Sequence, residues 1–166
     1  MMIILIAGLP ASGKSTIATT LARKFKATVL RTDLIRKQLF DNPTYSNEEK
    51  LLVYKVTFLI VEYLAKSGIT VILDGTFYKM NLRQKAYEVG RNTGTKVFVI
   101  ECSAPETVIR ERMERRKLRS SLSDANFEVY KKIEKKFEPI RRAHIVLDTS
   151  RSVRENIREI MKRIPH

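Results

Sequence analysis

Gly8-Leu9-Pro10-Ala11-Ser12-Gly13-Lys14-Ser15, followed by Thr16, lies directly behind the apolar run Met2-Ile3-Ile4-Leu5-Ile6-Ala7. The octapeptide fits the phosphate-loop pattern G-x-x-x-x-G-K-[ST], with a strand before it and a helix after it. The spacing carries the chemistry. Two glycines let the backbone curl so that its N–H groups point inward at a triphosphate. The lysine reaches the β- and γ-phosphates, and the Ser15 hydroxyl can hold Mg²⁺. Thr16 to Lys26 reads as a helix whose N-terminal dipole adds to the pull on anions. The bland alternative is a glycine turn that binds nothing, and the strand and helix on either side weigh against it. The expected ligands are ATP and Mg²⁺, although nothing in the loop distinguishes ATP from GTP.

Outward from the loop, apolar strand candidates alternate with helical segments through all 166 residues, the pattern of an α/β domain with a mostly parallel sheet. Strands are predicted at 2–7, 28–31, 69–73, 96–101 and 144–147. Helices are predicted near 14–26, 34–40, 47–66, 81–92, 105–117, 124–138 and 152–163. Ser46 with Glu49 and Ser152 with Glu155 have capping-box spacing, and Pro105 suits a first helical turn. No linker or repeat divides the chain, so one domain spanning 1–166 is expected.

Composition narrows the setting. No segment approaches the roughly twenty apolar residues that span a bilayer, and the N-terminus lacks the basic-then-apolar layout of a leader. Cys102 is the only cysteine, which fits a reducing cytoplasm. His144 and His166 are too isolated to form a metal set. The net charge is +14, and residues 107–166 alone carry 17 basic against 9 acidic groups. An anionic partner explains this surplus. So does a surface adapted to high temperature, although ion-pair networks of that kind balance their signs.

Phosphoryl transfer needs positioning, charge neutralisation and a group that takes the acceptor's proton. In an open parallel sheet, ligands gather at the carboxyl ends of the strands. There stand Thr32, Asp33 and Arg36 after the second strand, Asp74, Gly75 and Thr76 after the third with Arg83 behind them, and Asp148 after the fifth. Asp33 and Asp74 both fall on the face that holds the phosphate loop. Each has a plainer role open to it, Asp33 as a helix cap and Asp74 as a turn residue. Asp148 reads as a cap or turn. The segment 110–119 is rich in Arg and Glu, with Arg112 and Arg116 one turn apart. It reads either as a solvated helix or as part of a lid over 112–125.

Taken together, the chain resembles the predicted-kinase ATPase group (AAA_33-like P-loop kinases), related to the kinase domain of polynucleotide 5′-kinases. The resemblance rests on Gly8 to Thr16, on Arg31-Thr32-Asp33-Leu34-Ile35-Arg36, and on Leu73-Asp74-Gly75-Thr76-Phe77 with Arg83. It continues in the Arg112/Arg116 pair and in Ser123-Asp124-Ala125 followed by Phe137-Glu138-Pro139. It implies a three-layer P-loop NTPase fold with a five-stranded parallel sheet of order 2-3-1-4-5, flanked by helices and topped by a helical lid. It further implies Asp33 as general base, Arg36 as an acceptor-positioning residue, and Arg112 and Arg116 as lid arginines on the phosphates. Lys14 completes that catalytic set. Asp33, Arg36, Asp74, Thr76 and Arg83 are the expected acceptor-binding residues, and Ser15 and Asp74 the expected metal ligands. One departure is Asp74-Gly75-Thr76 where polynucleotide kinases carry Asp-Thr-Asn. The expected activity is transfer of the γ-phosphate of ATP to a hydroxyl, either a nucleic-acid 5′-end (RNA or DNA) or a small metabolite. A slow nucleotide-dependent switch is the alternative from another class.

Overall fold

The computed structural model describes residues 1–118 and 126–165. Five parallel strands form one sheet: β1 (Met2–Ala7), β2 (Thr28–Arg31), β3 (Val71–Asp74), β4 (Lys96–Ser103) and β5 (Ile145–Asp148), in the order β2-β3-β1-β4-β5. The helices are α1 (Lys14–Phe25), α2 (Thr32–Leu39), α3 (Asn47–Lys66), α4 (Met80–Thr93), α5 (Glu106–Lys117), α6 (Phe127–Lys136) and α7 (Val153–Met161).

β1 is central and buried along its whole length, which is why it reads as an unbroken apolar run. Its side chains alternate between two cores. Ile4 and Ile6 pack with Ile17 and Leu21 of α1 and with Ile157 and Ile160 of α7. Ile3 and Leu5 pack with Phe58 and Val61 of α3 and with Ala86 and Val89 of α4. Helices therefore cover both faces of the sheet, and each fully buried Ile or Leu contributes about 1.5–3 kcal/mol relative to exposure.

Of the boundaries that differ from the sequence reading, three matter most to the site. β3 ends on Asp74, not before it, because residues 71–74 pair in register with both β1 and β2. α2 begins at Thr32, so Asp33 lies inside its first turn and caps nothing; the N-cap position is Arg31. α6 begins at Phe127, where the Asn126 side chain accepts from the Val129 amide. The expected lid stretch 119–125, with Ser123-Asp124-Ala125, lies outside the described residues.

Ser152 and Glu155 form the full capping box of α7. At α3 only half of that motif forms. Ser46 accepts from the Glu49 amide, while the Glu49 carboxylate turns to the Thr44 amide at 2.6 Å, the Tyr45 amide at 2.8 Å and Arg36 at 3.1 Å.

Candidate active site

The phosphate loop joins the end of β1 to the start of α1. Gly8 (φ 152°) and Gly13 (φ 84°) occupy backbone conformations that favour glycine. Space enforces the same choice at Gly8, where a Cβ would lie 2.4 Å from the Cys102 carbonyl oxygen. The loop is closed by Ser12 N–H donating to Leu9 O at 3.2 Å, and Gly8 N–H donates to Thr76 O at 3.3 Å. Thr76 is thereby tied to the loop through its backbone. The Lys14 ammonium donates to Leu9 O at 2.7 Å, across the mouth of the loop. Burial pushes the pKa of Lys14 down, while Asp74, Cys102 and Asp33 pull it up and Arg116 adds to the lowering. Arg116 lies on α5, and its charge bears on the loop lysine. Thr16 is exposed on α1 and accepts through its carbonyl from Thr20.

Asp33 and Asp74 flank this lysine from the ends of neighbouring strands. Asp33 keeps solvent access at the cleft mouth, yet protein atoms crowd most of its surroundings. That desolvation raises its pKa above the ordinary aspartate value, against the pull of Lys14; Asp74 raises it further and Arg36 and Arg31 lower it. Asp74 is 5 % exposed and paired with Arg31, Nε to Oδ2 at 3.3 Å, and the same guanidinium donates from Nη2 to Ser15 Oγ at 3.0 Å. Arg31 has no role in the sequence reading. Its partnership follows from strand register, since Arg31 and Asp74 are directly paired across β2 and β3.

Ser15 Oγ and Asp74 Oδ2 therefore converge on the span of one cation. Both are hard oxygen donors, which suits Mg²⁺, an ion held by one or two protein groups with phosphates and water completing its shell. Among the described residues no group of three or more His, Cys, Asp or Glu gathers as a metal cage. The donor set fits an ion that arrives with a nucleotide.

Residues 3–140 match the AAA_33 model, described as an AAA domain. The chain belongs to the AAA_33 family. A Mycobacterium tuberculosis protein of uncharacterized function is 31% identical over 121 residues, and that match covers 66% of this AAA_33 chain but 24% of the relative. The chain thus spans about a quarter of the mycobacterial relatives it matches. A probable adenylyl-sulfate kinase from Aeropyrum pernix is 28% identical, over 94% of this chain and 88% of that protein. The structure of the Mycobacterium tuberculosis APS kinase CysC in complex with AMPPNP and APS superposes with a TM-score of 0.78 at 20% identity, covering 97% and 95% of the two chains. The fold is that of a P-loop kinase.

Two arginines of the AAA_33 chain stand apart from their expected roles. Arg83 is 3 % exposed and donates to the carbonyls of Phe77 (2.8 Å), Glu138 (2.7 Å) and Pro139 (3.3 Å), so it stitches α4 to the segment after α6 and offers no group to an acceptor. Arg112 donates to Ala11 O at 3.1 Å, Thr149 Oγ1 at 3.0 Å and Thr149 O at 2.6 Å, clamping the loop to the turn after β5. Its guanidinium is committed to the framework beside the phosphate loop. Arg36 is buried, with Nη1 on Glu49 and its plane 4.7 Å from the Tyr45 ring centroid, while its Nε is buried with no hydrogen-bond partner among the described residues. Asp148 accepts from Ser150 N–H and Oγ–H, as a turn residue does.

The departure at Gly75 also has a physical reason. A Cβ there would stand 2.8 Å from the Phe77 ring and 2.9 Å from Thr32 Oγ1. Phe77 is fully buried against Tyr54 and Phe58, so the ring cannot yield. Thr149 was missed in sequence as well; it joins Ser12 O, Ser103 O and Arg112, a meeting of distant segments with no local signature.

Proposed function

We propose that this chain is an ATP- and Mg²⁺-dependent kinase that transfers the γ-phosphate to a hydroxyl acceptor. The observation that carries the reading is Asp33, in the first turn of α2 with its charge acting on Lys14 of the phosphate loop, where a switch protein needs no base. Lys14 and the loop amides hold the β- and γ-phosphates. Asp33 takes the proton of the acceptor hydroxyl as its oxygen bonds to the γ-phosphorus. The bond from that phosphorus to the β–γ bridging oxygen breaks, and ADP leaves with the electron pair. Crowding by protein atoms raises the pKa of Asp33, which strengthens it as a base. Arg116 supplies positive charge over the transferring group. Ser15 and Asp74 would hold Mg²⁺, whose chemistry is to neutralise phosphate charge.

For the acceptor, the basic surplus supports a nucleic-acid 5′-hydroxyl. A small metabolite is the second reading, supported by the likeness to the probable adenylyl-sulfate kinase. The test is transfer of labelled γ-phosphate to a panel of RNA ends, DNA ends and small alcohols. The expected result is one labelled class, formed faster than the background ATPase. Hydrolysis alone, without any labelled acceptor, would leave the switch reading standing instead.

A further inference from the structure

Arg31 closes β2, an edge strand of the sheet, opposite Asp74 at the end of β3. Its guanidinium bridges the Ser15 hydroxyl at 3.0 Å and the Asp74 carboxylate at 3.3 Å. These are the two groups whose chemistry suits the divalent cation. Asp74 is 5 % exposed, and a buried carboxylate stripped of its counterion is strongly destabilising. Asp74 therefore needs a cation at all times. Two candidates share one place, a monovalent guanidinium carried by the chain and a divalent ion carried by the nucleotide. Arg31 is the more exposed partner, with 28% of its side chain exposed against 4% for Asp74, so it has solvent to move into.

We propose that Arg31 is a resident cation of the metal position, a positioning residue that sets how strongly nucleotide binding depends on Mg²⁺. It holds Ser15 and Asp74 in place before nucleotide binds, adds positive charge that favours metal-free nucleotide, and must be displaced before the ion can take both oxygens. The proposal rests on the reading of Ser15 and Asp74 as metal ligands.

Two consequences have opposite signs, which separates this role from simple scaffolding. Removing the charge removes a competitor of Mg²⁺ and, at the same time, a cation that attracts the bare polyphosphate. A ligand whose competent state is fractionally populated binds more weakly by that fraction. Freeing the site therefore lowers the Mg²⁺ concentration needed.

The experiment is equilibrium binding of a fluorescent ADP to the whole chain, first in EDTA and then across a Mg²⁺ titration, for wild type, Arg31→Gln and Arg31→Lys. For Arg31→Gln, metal-free affinity is expected to fall about tenfold and the Mg²⁺ midpoint to fall about fivefold or more, the range of ordinary coupling between sites. Arg31→Lys keeps the charge but loses the planar fork. It is expected to hold metal-free affinity near wild type while the Mg²⁺ midpoint still falls, which decides the matter should the glutamine variant not fold. Affinities with and without metal falling together, or an unmoved midpoint, would overturn the proposal alone. A wild-type chain that binds no nucleotide would overturn the kinase reading with it.

Discussion

At the scale of single residues, Asp33 carries a testable tension. Desolvation raises its pKa in the folded chain above the unfolded value, so the folded state binds a proton more tightly than the unfolded one. Its stabilising contribution is complete below the unfolded pKa and is lost as pH rises through the folded one. Ionising the Asp33 carboxyl thus costs stability while it serves chemistry. Asp33→Asn is expected to melt at a higher temperature than wild type at pH 7, with the gap closing as the pH is lowered toward 4, while phosphoryl transfer collapses by about a hundredfold or more. Thermal melts across pH, paired with turnover, check both halves. An unchanged turnover would remove Asp33 from the base role. What was legible in sequence was local, as in the glycine conformations at Gly8 and Gly13 and the Ser152 cap. Arg31 and Glu49 escaped because their partners, Asp74 and Arg36, are set by register and by helix packing.

Among the elements, the strands and helices were legible wherever apolar period and length agreed, and the ends of β1, β2 and α3 were legible too, while those of β3, α2 and α6 were not. Asp74 looked like a residue after β3, but pairing on both sides draws it into the ladder, which buries its carboxylate and creates the demand for Arg31. The sheet order came from resemblance, because crossover packing leaves no mark on any one segment. Arg83 illustrates the difference between a functional and a framework cation. Held by three backbone carbonyls of two segments, it bonds α4 to residues 137–139, and its plane lies 5.6 Å from the Phe137 ring centroid. Arg83→Ala is expected to lower unfolding free energy by about 2–4 kcal/mol, since charged hydrogen bonds are lost and buried carbonyls go unpaired. Urea denaturation gives that number, and the nucleotide Kd of the folded fraction should stay near wild type. A stable variant with a raised acceptor KM would instead return Arg83 to the acceptor site.

For the whole molecule, the question is where the +14 resides. Several acidic groups of the C-terminal third are already paired with neighbours: Glu155 with Arg151, Glu159 with Arg163, and Glu134 with Lys131. The remainder includes Arg154 and Arg158 on α7 and Lys162 at its C-cap, exposed at intervals of four residues and without an ion-pair partner among the described residues. Like charges at that spacing weaken a helix by a few tenths of a kcal/mol per pair, and the acids between them, Glu155 and Glu159, pair with Arg151 and Arg163 instead. A row of unbalanced cations favours a polyanion over heat adaptation. If the acceptor is a nucleic-acid end, log affinity for a single-stranded oligonucleotide should fall linearly with log salt, at about −0.7 per neutralised phosphate. Replacing Arg154, Arg158 and Lys162 together with alanine should then flatten that slope by about 2 while leaving nucleotide binding intact, because α7 contributes no side chain to the phosphate loop. Fluorescence anisotropy over a salt series measures both slopes. A wild-type slope near zero would assign the surplus charge to another purpose and leave the small-metabolite acceptor as the surviving reading.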